Sequence, residues 1–165
     1  LRRIVFPILI IGILYPFFTG AFCFDEAARE YGLNASILRG IAYVESNNNP
    51  DAMNYNRNGT TDLGIMQINS SWIKPMGLNK EELIKNPCYN IKTAARIVRK
   101  CMDKHGYTWE AIGCYNALNQ NGRVKYSWKV FHELNRTDHS ARNPFPSMAS
   151  NSFLYFKVHD NEQSE

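Results

Sequence analysis

The helical periodicity of this chain breaks once, and that break restricts its fold more than any other feature. Between residues 53 and 68 no helical stripe can be drawn. Asn58-Gly59 inside this stretch is the dipeptide a tight hairpin turn prefers, because both residues accept positive φ. On either side apolar residues recur at helical spacing. The expectation is a mainly α-helical α+β domain with one small hairpin inserted between helices.

The helices can be placed from their stripes and punctuation. Residues 25–31 form a short helix stopped by Gly32, and residues 36–46 form the next, with Ile37, Ile41 and Val44 on one face. Asn79 with Glu82 three residues on reads as a capping box before a helix at 80–85. Ile91, Ala94, Ala95, Val98 and Met102 trace the stripe of a longer helix over 90–104, stopped by Gly106. Thr108 caps a helix carrying Trp109, Ile112 and Tyr115. Val124, Trp128 and Phe131 mark the last, over 123–134.

The two ends read differently from this middle. Arg2 and Arg3 precede an apolar run at residues 4–18, and Thr19-Gly20-Ala21 supplies small residues three and one before a cut. Residues 1–21 are therefore expected to be a secretory signal peptide, with a retained membrane anchor as the alternative. Phe22 is too bulky to precede a lipidated Cys23. Residues 22–135 then form one domain. Residues 136–165 make a tail rich in Ser, Asn and Pro, expected to be flexible, with the apolar island Phe153-Leu154-Tyr155-Phe156 as its exception.

The net charge is +4, and loss of Arg2 and Arg3 would lower it by two. No basic run is interleaved with aromatics, so nucleic acid is not an expected partner. His105, His132, His139 and His159 have no ligand spacing, and no metal or other cofactor is expected. The four cysteines, Cys23, Cys88, Cys101 and Cys114, all follow the expected cut. An even count in an exported chain favours disulfides. Cys88 and Cys101 would stand roughly 20 Å apart along one helix, too far to bridge. Cys101 and Cys114 flank a turn between helices, which leaves Cys23–Cys88 as the second pair.

Two carboxylates suggest chemistry. Glu45 falls in the last turn of its helix after Tyr43-Val44, where the negative end of the dipole and the apolar surroundings both favour its protonated form. Asp62 falls on the returning limb of the hairpin, a polar setting in which it can stay ionised. One protonated and one ionised carboxyl is the pair that cleavage of a glycosidic bond requires. Gly64 permits close backbone approach. Met66-Gln67-Ile68-Asn69 alternates apolar and amide side chains, as a strand lining a saccharide groove would, with Gln67 and Asn69 bonding sugar hydroxyls or N-acetyl groups.

The run Glu45-Ser46-Asn47, continued by Asn56-Arg57-Asn58-Gly59-Thr60-Thr61-Asp62-Leu63-Gly64-Ile65-Met66-Gln67-Ile68-Asn69-Ser70, resembles the soluble lytic transglycosylase domain. It is most similar to the small members that accompany secretion systems, pili and conjugation machinery in Gram-negative bacteria. The likeness covers residues 23–134. The same run also resembles c-type lysozymes, with a Glu, a hairpin Asp and a similar groove strand.

The resemblance implies a lysozyme-like fold with its hairpin beside an active-site groove, and peptidoglycan glycan strands as substrate. It implies Glu45 as acid and then base, supported by Ser46, with Gly64, Ile65, Met66 and Gln67 along the groove. Tyr115-Asn116, in a Tyr-Asn-Ala segment, would lie near the acid. A periplasmic monomer serving a secretion apparatus follows from the same likeness. Its small members usually carry a cysteine pair at the places of Cys23 and Cys88. Two departures stand out: many such enzymes have no acid at the place of Asp62, and the family's Gly after Tyr-Asn-Ala is Leu118 here. A hydrolytic muramidase and a non-catalytic wall-binding assembly factor are the alternatives.

Overall fold

Helix α5 (Pro87–His105) packs against α1 (Phe24–Tyr31), α4 (Lys80–Lys85) and α6 (Trp109–Cys114). Its buried stripe includes Ile91, Ala94, Ala95, Val98 and Met102, all at 3% exposure or less, as the periodicity predicts. The computed structural model describes residues 22–137. The expected signal peptide and nearly all of the expected tail lie outside the described residues.

The chain order is α1 (Phe24–Tyr31), α2 (Ala35–Ser46), β1 (Met53–Tyr55), β2 (Thr61–Leu63), β3 (Ile68–Asn69), a 3-10 turn (Ser70–Trp72), α3 (Ile73–Met76) and α4 (Lys80–Lys85). Then come α5, α6 (Trp109–Cys114) and α7 (Gln120–Thr137). A mainly helical α+β fold is what the patterning predicts. Among the described residues no helix is long and apolar enough to cross a membrane.

The differences from the expected boundaries have local causes. Helix α5 begins at Pro87, whose missing N–H costs nothing in a first turn, and Asn86 caps it by accepting from the Tyr89 amide. Cys88 thus sits on the same helix as Cys101. Disulfides join Cys23 to Cys88 and Cys101 to Cys114, with Cα separations of 5.5 and 5.8 Å. The capping box at α4 is only half formed. Asn79 accepts from the amides of Glu81 and Glu82, but the Glu82 carboxylate accepts from Asn86 Nδ2 instead of reaching back.

The hairpin is part of a three-stranded antiparallel sheet in the order β1-β2-β3. Asp62 on the central strand pairs with Asn54 on one side and Asn69 on the other. Only Gly59 of the turn dipeptide takes positive φ. Asn58 acts through its side chain, Oδ1 accepting from both the amide and the hydroxyl of Thr60.

Asn90 fastens this sheet to the helices from a fully buried position. Its Nδ2 donates to the carbonyls of Leu63 and Leu83 at 2.8 and 2.9 Å, and its Oδ1 accepts from the Met66 amide at 2.9 Å. Gly64 makes room for it: a Cβ there would lie 2.5 Å from Asn90 Nδ2, and its φ of +71° lies in the left-handed region that favours glycine. Sequence that reads as loop is therefore buried and hydrogen-bonded like core.

Candidate active site

Glu45 is the penultimate residue of α2, which ends at Asn47 in the left-handed conformation (φ 54°). Ser46 fixes this end of the helix, its Oγ donating to the Ile65 carbonyl at 2.7 Å and to Ala42 O at 3.2 Å. The Glu45 carboxyl lines a groove, with its Oε1 hydrogen-bonded to Tyr126. Burial pushes its pKa up to about 7. A hydrogen bond from Tyr126 opposes that rise, the charge of Asp62 adds to it, and Lys129 opposes it weakly.

Tyr126, on α7, donates to Glu45 Oε1 at 2.6 Å. Its ring stacks on Tyr115 with centroids 6.3 Å apart, and the Tyr115 hydroxyl donates to the Met66 carbonyl at 2.7 Å. Burial, reinforced by the Glu45 charge, holds both phenols well above the usual tyrosine range, so both remain donors. Two tyrosines thus brace the acid against the turn that precedes β3.

Asp62 is oriented by two amides, Asn56 Nδ2 donating to Oδ2 at 2.9 Å and Asn69 Nδ2 to Oδ1 at 2.7 Å. Glu45 and Asp62 line one open groove of about 560 Å³. Asn58 and Thr60 from the hairpin line it too, as do Trp72 and the stretch from Tyr115 to Leu118. One carboxyl poised to give a proton and a second held by amides in the same groove is an arrangement for acid-assisted bond cleavage.

The other expected site residues divide. Gln67, Asn69, Tyr115 and Asn116 reach the groove, whereas Ser46, Gly64, Ile65 and Met66 do not line it. Ile65 and Met66 are fully buried, and their carbonyls serve Ser46 and Tyr115. The groove strand is also shorter than the alternation predicts. Gly64 to Gln67 is a turn, with the Gln67 amide bonded to Gly64 O and φ +47° at Gln67, and only Ile68–Asn69 is strand.

The amides expected to meet sugar are engaged within the protein. Gln67 Nε2 donates to Ala52 O and Gly64 O, while its Oε1 accepts from Asn54 Nδ2. Asn69 is similarly occupied by Asp62, Thr60 and Ser71. Both shape the groove by holding its floor. Sequence reasoning missed Tyr126, Trp72 and Asn56. Trp72 carries a legible signal, an aromatic three residues past Asn69, while Tyr126 is 81 residues from its partner Glu45. Among the described residues no three His, Cys, Asp or Glu side chains are grouped to hold a metal ion.

Residues 22–129 match the family described as Transglycosylase SLT domain. Protein IpgF of Shigella sonnei is 36% identical over 143 residues, covering 82% of this chain and 92% of its own length. Invasion protein IagB of Salmonella typhimurium (strain SL1344) is 33% identical over 156 residues, covering 88% and 98%. A peptidoglycan-binding-like protein of Escherichia coli O157:H7 is 36% identical over 128 residues, covering 69% and 77%.

Proposed function

The chain belongs to the transglycosylase SLT-domain family, and on that premise we propose that it is a peptidoglycan lytic transglycosylase. It cleaves the β-1,4 bond between N-acetylmuramic acid and N-acetylglucosamine and releases a 1,6-anhydromuramic product. The observation that carries this reading is Glu45, a groove-lining carboxyl whose pKa burial raises to about 7, so that near neutral pH a substantial fraction still carries its proton.

Glu45 protonates the glycosidic oxygen, and positive charge develops on the muramic ring as the bond lengthens. The Asp62 carboxylate, steadied by Asn56 and Asn69, stabilises that charge. Glu45, now ionised, takes the proton of the muramic 6-hydroxyl as its oxygen closes onto the anomeric carbon. Tyr126 serves both states, donating to the carboxylate while it is charged and holding the carboxyl in place while it is not. Ser46, Gly64, Ile65, Met66, Gln67 and Asn69 support the acid and the groove floor, and Tyr115 and Asn116 form the facing wall.

Asp62 on the central strand favours a second reading, in which water replaces the 6-hydroxyl and the enzyme is a hydrolytic muramidase. The setting we infer is the periplasm of a Gram-negative bacterium, where a monomer opens the wall locally for a secretion apparatus. Similarity to an invasion protein and to a peptidoglycan-binding-like protein supports this setting.

The test is Glu45→Gln. It abolishes solubilisation of purified peptidoglycan while leaving cosedimentation with the wall intact, which separates an enzyme from a binding or assembly factor. Native-rate cleavage by that variant would remove the catalytic assignment.

A further inference from the structure

Helix α7 serves the groove twice, and only Tyr126 has a part in the chemistry above. Arg123 stands three residues earlier, near the start of α7, where the positive end of the helix dipole disfavours a cation. Its side chain is only 16% exposed. Its Nε donates to Ala117 O at 3.2 Å, its Nη2 donates to Leu118 O, and its Nη1 meets Glu110 Oε1 at 2.9 Å. A planar fork with donors spread over three nitrogens can hold two successive carbonyls and a carboxylate together, whereas a lysine offers its donors from a single nitrogen.

The clamped carbonyls belong to the groove wall. Leu118 is 94% exposed, so packing does not hold that end of the wall. The wall is also in direct contact with α7. A Cβ at Gly113 would lie 2.3 Å from Arg123 O, and one at Gly122 would lie 2.7 Å from Ala117 Cβ. The start of α7 therefore sets where residues 115–118 run, and Arg123 is the side chain that fastens their outer end.

We propose that Arg123 is a positioning residue for glycan binding, clamping the Ala117 and Leu118 carbonyls so that the wall of the groove is formed before substrate arrives. The proposal rests on reading the groove as a glycan site. Arg123 makes no hydrogen bond to Glu45, so it governs affinity and leaves the proton transfer alone.

The first measurement is made in the Glu45→Gln background, as cosedimentation with insoluble peptidoglycan. Adding Arg123→Ala weakens binding about tenfold, and Arg123→Lys, which can satisfy one carbonyl, weakens it about threefold. With Glu45 present, Arg123→Ala raises KM by a similar factor, keeps kcat within about twofold and leaves the alkaline limb of the kcat profile in place.

Unchanged binding and KM in both variants would overturn the proposal. A fall in kcat with KM constant, or a displaced alkaline limb, would do the same. Should Arg123→Ala fail to fold, Arg123→Lys carries the test with its smaller shift. A wild-type chain that binds peptidoglycan without cutting it removes the transglycosylase reading, and a binding difference at Arg123 would still support the clamp.

Discussion

The Tyr126 hydroxyl donates a 2.6 Å hydrogen bond to Glu45 Oε1, joining the last turn of α2 to α7 across 81 residues of sequence. The bond favours the charged carboxylate, while burial and the Asp62 charge favour the neutral acid. The balance leaves a pKa of about 7, at which a carboxyl can both give and recover a proton near neutral pH.

Removing either neighbour moves that balance, in opposite directions. Tyr126→Phe deletes the interaction that lowers the Glu45 pKa, so the alkaline limb of kcat moves to higher pH. Asp62→Asn deletes a charge that raises it, so the limb moves to lower pH. Both variants lose rate, the first because the acid is less well held and the second because ring charge is less stabilised. Profiles of peptidoglycan solubilisation against pH check both signs, and shifts in the same direction would contradict the account.

Glu45 also makes stability depend on pH. Its folded pKa of about 7 lies above the ordinary value of 4.5, so the folded state binds more protons than the unfolded state between those limits. Wild-type stability is thus favoured below pH 4.5 and lost as pH rises through 7. Glu45→Gln removes this term, and its stability relative to wild type grows by roughly 3 kcal/mol from pH 4 to pH 8. Urea unfolding of both proteins at the two pH values measures the difference, in which titrating groups not coupled to Glu45 cancel.

The turn beneath the acid gives a third test. Gly64→Ala places a Cβ 2.5 Å from Asn90 Nδ2 at a φ of +71°, and costs roughly 2–4 kcal/mol through steric overlap and backbone strain. Gly59→Ala has a similar φ of +81° with nothing within 4 Å, and costs only about 1 kcal/mol. Thermal unfolding of the two separates loss of space from loss of glycine's backbone freedom.

How much of this was legible in the sequence follows from the range of each interaction. The stripe from Ile91 to Met102 is a local pattern, and the helix it predicts is present. The Cys101–Cys114 pair was also readable, because the two flank the turn between neighbouring helices and helix geometry excludes Cys88–Cys101. Glu45 and Asp62 could be singled out from their local settings, and both line the groove.

Tyr126 could not be assigned, since nothing near it in sequence distinguishes an aromatic facing the acid from one filling the core. Asn90 was hidden for the same reason. Its three partners are the backbone groups of Leu63, Met66 and Leu83, and backbone leaves no mark in a sequence. The amides of Gln67 and Asn69 pointed to sugar because short-range alternation does not reveal internal bonding partners.

The product of the reaction tests the central claim most directly. Purified protein is incubated with isolated peptidoglycan, and the soluble muropeptides are resolved by mass spectrometry. The account predicts 1,6-anhydromuramic ends, about 18 Da lighter than the hydrolytic product because no water is added. Reducing muramic acid ends in their place would contradict it and make the enzyme a muramidase.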